Sequence, residues 1–310
     1  MNSIIRHLLI SIVTSAVALS TSSVLAQVKI ERNVVYGMYS GLGLLMDVYI
    51  PAKPNGYGVI FISGSGWTRE LSLDATPLTQ TGQEEIYALP LVNAGYTVFN
   101  LNHRAAPRFR YPAPIEDVQR AVRFIRHQAG TYGINADNIG AAGGSSGAHL
   151  VSMLGVLDGD GDPNDPNPIN RQSAKVQAVF TRAAPMDLRK DPESPLFGYR
   201  STAAKEGSVE LQLLSEASPI THVSPDDPPF LLVHGDADPV VPHELSINMH
   251  KALQEAGVTS ELIVVAGGGH GPRFESTKMV DGERVSQLPV NPPDYIGAMI
   301  AWFDRHLLGK

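Results

Sequence analysis

Short apolar, β-rich runs alternate with segments of helical period along this chain, and that alternation limits the fold more than any other feature. The runs fall at 28–36, 44–50, 57–63, 96–101, 138–142, 176–181, 229–234 and 260–265, which makes eight strand candidates. Several are nearly continuous apolar runs, the pattern of strands buried on both faces. Helical patterns occupy 84–94, 114–133, 146–157, 242–257 and 292–308. Within 114–133, Val118, Ala121, Val122 and Ile125 share one face, and Pro112 and Pro114 sit near the start. Strands alternating with helices mean βαβ units. The pattern predicts an α/β domain on a mostly parallel eight-stranded sheet with helices on both faces. The first two or three strands have no helix between them and are expected to form an antiparallel edge. With 310 residues, of which 43% are apolar, there is material for one large core.

Two regions fit this pattern poorly. Residues 158–172 are rich in Asp, Asn, Pro and Gly and read as an exposed loop. Residues 187–228 have weak periodicity and are expected to form a small lid of short helices. Residues 1–26 read as a targeting segment and not as fold. Arg6 precedes an apolar stretch too short to span a bilayer comfortably, and Val24-Leu25-Ala26 offers a cleavage point before Gln27. The expectation is an exported, periplasmic or secreted protein with no stable membrane anchor once that segment is removed. The chain has no cysteine, which excludes disulfides, thiolate metal sites and a cysteine nucleophile. Net charge is −7 with no basic stripe, so nucleic acid is not an expected partner.

Gly143-Gly144-Ser145-Ser146-Gly147 matches G-x-S-x-G, with a strand candidate before it and a helix after it. So sharp a turn forces its central residue into strained dihedrals and exposes the hydroxyl, and small neighbours permit it. Ser145 is therefore the candidate nucleophile. A serine hydroxyl needs a base, and the base needs an orienting acid. In this kind of fold the chain order is Ser, acid, His. His149 lies one turn from Ser145, His222 and His234 precede the best acid, and His243, His250 and His306 fall in predicted helices. His270 alone sits in a flexible loop after a strand, Gly267-Gly268-Gly269-His270-Gly271. The acid should end the preceding strand, where Gly235-Asp236-Ala237-Asp238-Pro239 offers two carboxylates. Asp238 is the choice and Asp236 the reserve. Ser63-Gly64-Ser65-Gly66-Trp67 follows the third strand candidate. Its backbone N–H groups at Ser65 and Gly66, with that of Ser146, are the expected oxyanion donors. No Gly-Lys-Ser/Thr follows, so this is not a phosphate loop.

These residues give the chain a family likeness. It resembles the α/β-hydrolase esterases and lipases of the carboxylesterase, acetyl-esterase and feruloyl-esterase group across most of 30–308. The likeness is carried by Ser63-Gly64-Ser65-Gly66-Trp67, Asn102-His103-Arg104-Ala105-Ala106-Pro107, Tyr111-Pro112-Ala113-Pro114 with Asp117, 143–150, Ala217-Ser218-Pro219-Ile220, 234–242 and Gly269-His270-Gly271. The resemblance places the nucleophile on Ser145, the acid on Asp238, the base on His270 and the oxyanion donors on Ser65, Gly66 and Ser146. It departs where relatives usually carry His-Gly-Gly-Gly, because Ser63 and Ser65 stand there. Gly144 precedes the nucleophile where Glu is frequent, and Ser146 follows it where Ala is frequent.

The implied activity is hydrolysis of carboxylic esters with short acyl groups such as acetyl or feruloyl, on small-molecule or carbohydrate-linked substrates and without a cofactor. A peptidase or amidase resembling the prolyl oligopeptidase catalytic domain shares the His-Gly-x-x-Asp turn, but the residues before position 28 are too few for a gating propeller. A non-catalytic binding module on the same fold is the third reading. Asp158-Gly159-Asp160-Gly161-Asp162 has calcium-loop spacing but carries Pro163 and Ile169 where Gly and Glu belong, so it reads as a solvated loop. No zinc motif occurs.

Overall fold

The structure is a computed structural model that describes residues 28–190, 194–197, 207–280 and 283–310. The expected export segment, 1–26, lies outside them. The elements run β1 (Lys29–Tyr39), β2 (Leu42–Ile50), β3 (Gly58–Ile62), α1 (Leu89–Asn93), β4 (Thr97–Leu101), α2 (Ala113–His127), α3 (Ala129–Tyr132), β5 (Ile139–Gly144), α4 (Ser146–Val156), β6 (Ala178–Arg182), α5 (Val209–Glu216), β7 (Phe230–Gly235), α6 (Glu244–Glu255), β8 (Ser260–Val265), β9 (Ser276–Val280), β10 (Glu283–Gln287) and α7 (Tyr295–Phe303). One wider helical turn, Glu84–Ala88, leads into α1.

Strands β1 to β8 form one sheet in the order β1-β2-β4-β3-β5-β6-β7-β8. Both pairings of β2, with β1 and with β4, are antiparallel, and every pairing from β4 through β8 is parallel. The antiparallel edge thus comprises two strands, and β3 lies inside the parallel region. The nearly continuous apolar runs have the expected cause. In β3, Ile60 and Ile62 face a core built with α2, α4 and α6, while Val59 and Phe61 face one built with α1 and α7. The predicted stripe of α2 is fully buried, with Val118, Ala121, Val122 and Ile125 each 0% exposed. Burying a valine or isoleucine side chain contributes about 1.5–3 kcal/mol.

Three further features complete the fold. The segment after β4 is anchored to α2 where Arg104 donates to Asp117 from its amide (2.7 Å) and from Nε (2.8 Å). That segment in turn holds the loop after β3, because Ala106 N–H donates to Trp67 O and Arg69 N–H to Ala106 O. The described parts of 187–228 are short helical pieces, among them Leu188–Lys190, Pro195–Phe197, α5 and Pro219–Thr221. The 158–172 loop is clasped to α2, with Arg120 Nη1 donating to Asn170 Oδ1 (2.6 Å) and Arg123 Nε to Gln172 O (3.0 Å). The β9–β10 hairpin follows no pattern in the sequence, since its residues form no apolar stripe. Among the described residues no His, Cys, Asp and Glu group could hold a metal ion, and no helix is long and apolar enough to cross a membrane.

Candidate active site

The junction of β5 and α4 forces Ser145 into φ 52°, ψ −122°, a region few non-glycine residues adopt. The turn closes because α4 starts hard against β3. A Cβ on Gly147 would run into Ile62 O, so only glycine fits there. Ser145 N–H donates to Arg182 O at 2.7 Å, which fixes the apex.

His270 arrives from the loop after β8 and Asp238 from the turn after β7. These two loops meet backbone to backbone: Ala237 N–H donates to Gly268 O, and a Cβ on Gly235 would collide with Gly268 O. The result is a continuous chain. Ser145 Oγ lies 2.9 Å from His270 Nε2, and His270 Nδ1 lies 2.7 Å from Asp238 Oδ2. The Asp238 side chain is fully buried, while the His270 side chain keeps 21% exposure, so the ring remains reachable. Asp238 Oδ1 accepts the N–H groups of Val240 (2.8 Å) and Val241 (2.9 Å). Desolvation pushes the Asp238 carboxyl up. The bonds from His234, His270 and Val241 outweigh it and hold the group well below the ordinary carboxylate range. Asp236, the reserve acid, accepts Gly267 N–H at 2.7 Å and ties the loop instead.

Of the three expected oxyanion donors, Ser65 has its N–H engaged within the protein, donating to Ser146 Oγ at 2.8 Å. The cause is local: Ser146, where relatives often carry Ala, supplies an acceptor that alanine lacks. Gly66 and Ser146 keep amide N–H groups that, among the described residues, no backbone or side-chain acceptor takes up. Gln83 holds the loop rigid, its Nε2 donating to Gly64 O and its Oε1 accepting Gly64 N–H, both at 2.9 Å. Nothing in the sequence pointed to Gln83.

His149 proves to be a strut and lies outside the Ser–His–Asp chain. Its Nδ1 accepts from Trp67 Nε1 (3.1 Å) and its Nε2 donates to Ala217 O (2.7 Å), joining the loop after β3 to the segment after α5. Burial lowers its pKa to about 4, against the raising effect of the Ala217 bond. An unfolded histidine titrates near 6.5. Between roughly pH 6.5 and 4 the unfolded chain takes up a proton that the folded chain refuses, so stability falls as pH falls through that window. The expected loss attributable to His149 is about 3 kcal/mol. Urea unfolding at pH 7.5 and pH 4 of wild type and His149→Gln checks it, because the variant should show a shallower pH dependence. Equal slopes would remove His149 as the cause.

A cleft of about 640 Å³ is lined by Leu42, Arg69, Leu71, Asn102 and Phe109. It opens at the end of β4, two strands from the nucleophile, and no member of the Ser145–His270–Asp238 chain lines it.

Residues 46–253 match the family model BD-FAE. Esterase LipQ of Mycobacterium tuberculosis is 32% identical over 188 residues, covering 55% of this chain and 41% of that protein. The acetylxylan esterase of Xylanibacter ruminicola is 24% identical over 231 residues, covering 74% of this chain and 44% of the relative. This chain therefore spans less than half the length of these curated relatives. Among solved structures, a truncated carbohydrate esterase from gut microbiota aligns with a TM-score of 0.70 and 28% identity, covering 90% of this chain and 96% of that one. Thermogutta terrifontis esterase 2 with butyrate bound has a TM-score of 0.66 at 21% identity over 92% of this chain and 94% of its own, and shares the fold.

Proposed function

Because this chain belongs to the BD-FAE family, a family of α/β-hydrolase esterases, we propose that it hydrolyses carboxylic esters through an acyl-enzyme on Ser145. The observation that carries this reading is the unbroken Ser145–His270–Asp238 hydrogen-bond chain at the apex of the β5–α4 turn. Ser145 Oγ attacks the ester carbonyl as His270 Nε2 takes its proton. The tetrahedral oxyanion is met by the N–H groups of Gly66 and Ser146. His270 returns the proton to the departing alcohol. Water then attacks the acyl-enzyme by the same route and releases the acid. Asp238 keeps the proton on Nδ1, so that Nε2 presents its lone pair to the serine, and stabilises the imidazolium that forms.

Short acyl esters on a carbohydrate are the proposed substrates. The names of two relatives, an acetylxylan esterase and a carbohydrate esterase, support this choice. Initial rates on p-nitrophenyl esters from acetate to decanoate, and acetate release from acetylated xylan, test it. Fast turnover confined to short chains is expected. No turnover on any ester, with cleavage of a peptide anilide, would replace the reading with the amidase one. A folded protein that a fluorophosphonate probe does not label would make it a binding module.

Export is proposed on the pattern of residues 1–26. Mass spectrometry of the protein from an expressing cell is expected to find a chain beginning at Gln27 outside the cytoplasm. An intact N-terminus on cytoplasmic protein would overturn it.

A further inference from the structure

We infer that Arg182 is a positioning residue for His270, acting through the main chain of the loop that carries it; the inference rests on the esterase reading above. Arg182 is the last residue of β6, paired with Gly144 on one side and Val233 on the other. It is 2% exposed. Its Nη1 donates to His270 O at 2.6 Å and to Gly271 O at 3.1 Å, and its own carbonyl accepts Ser145 N–H. One residue thus grips the backbone of the nucleophile and the backbone of the base.

The His270 loop needs such a grip. Four of its five residues, Gly267 to Gly271, are glycine, and glycine loses more conformational freedom on ordering than any other residue. Left to itself that loop would spread His270 over many positions, and a hydrogen bond of 2.9 Å to Ser145 would be occupied only part of the time. Two charge-assisted bonds from a buried, packed guanidinium narrow the spread. Tyr87 Oη adds a tether at Pro272 O, beside the ties of Gly267 to Asp236 and of Gly268 to Ala237 at the loop's start, and the Arg182 guanidinium lies 5.7 Å from the Phe274 ring centroid.

The placement is not explained by ion pairing. Among the described residues Arg182 meets no carboxylate, and its Nε is buried without a partner. A buried guanidinium without a counter-ion is costly, so the carbonyls that receive it are its main compensation. The departure at Gly144 belongs to the same arrangement. A Cβ there would come within 3.3 Å of Arg182 Nε and 3.2 Å of Gln83 Oε1. The side chain missing at 144 leaves the guanidinium its room.

The test compares wild type, Arg182→Met and Arg182→Lys by kcat and KM on p-nitrophenyl acetate, by the rate of fluorophosphonate labelling of Ser145, and by Tm. Met keeps the length and the contact with Phe274 but donates nothing; Lys can donate from a single nitrogen. The expected result for Met is a fall of about 10- to 100-fold in both kcat and labelling rate, with KM within about 3-fold of wild type. Lys should lie between. A folded Met variant with kcat and labelling within about 2-fold of wild type overturns the inference. Should Met fail to fold, Lys decides: wild-type kcat in a folded Lys variant overturns it, and a several-fold loss at unchanged Tm supports it. Wild type that neither turns over an ester nor takes the label would sink the esterase reading, and this inference with it, which is a different result from a labelled wild type with an equally labelled variant.

Discussion

Ser145→Ala is expected to lower kcat on any ester substrate by about 10⁴- to 10⁶-fold while leaving the fold and KM nearly unchanged. Removing Oγ removes the atom proposed to form the acyl-enzyme, which His270 Nε2 addresses at 2.9 Å. Ser146 is no substitute. The residue is 1% exposed and its Oγ is held by Ser65 N–H. The remaining machinery, the N–H groups of Gly66 and Ser146 with the imidazole, leaves a residual rate above that of water, as loss of a serine nucleophile does elsewhere. Alanine also relieves nothing at the strained φ of 52°, so Tm should stay close to wild type. Steady-state kinetics at saturating ester, with fluorophosphonate labelling as a second readout, checks this. A variant that keeps even a tenth of wild-type turnover would show that the nucleophile lies elsewhere.

The second large effect is expected from Asp238→Asn, a loss of about 10⁴-fold in kcat with the protein folded. The two groups are nearly the same shape, and the bonds that Oδ1 accepts from Val240 and Val241 survive. The change falls on the atom facing His270 Nδ1 at 2.7 Å. An amide nitrogen there donates, so Nδ1 must accept, the ring proton moves to Nε2, and Nε2 can no longer take the proton of Ser145. Asp236→Asn is the matching control. Its Oδ1 accepts Gly267 N–H, a bond the amide oxygen can keep, so kcat should remain within about 3-fold of wild type. If Asp236→Asn were the damaging change and Asp238→Asn harmless, the acid would have to be reassigned.

Much of this protein is written locally along the chain. Eight β-rich runs became the eight strands of the sheet, and five of them, β3 to β7, are buried along their whole length, where burial on both faces selects mostly apolar residues. The face of α2 was legible because helical period and burial coincide there. Ser145, Asp238 and His270 were each visible through their neighbours: glycines that allow a sharp turn, an acid at a strand end, a histidine in a glycine-rich loop. The covalent geometry of those short segments is enough to say what each can do.

Only the tertiary structure decided which groups share a space. Ser65 N–H finds Ser146 Oγ across 81 residues, Trp67 finds His149 across 82, and Arg182 finds His270 across 88. None of these partners stands in a local pattern, because one ordinary polar side chain looks like another until the sheet order β3-β5-β6 brings their strand ends side by side. The antiparallel edge stopped at two strands for a similar reason. The lack of a helix between early strands allows antiparallel pairing, but the pairing of β3 with β4 and β5 was settled by burial of Val59, Ile60, Phe61 and Ile62 on both faces. Sequence determined the elements and the candidate reactive residues, since both depend on period and on glycine. Tertiary packing determined which N–H groups beside Ser145 stay free and which guanidinium meets the His270 backbone, since both depend on distances between segments far apart in the chain.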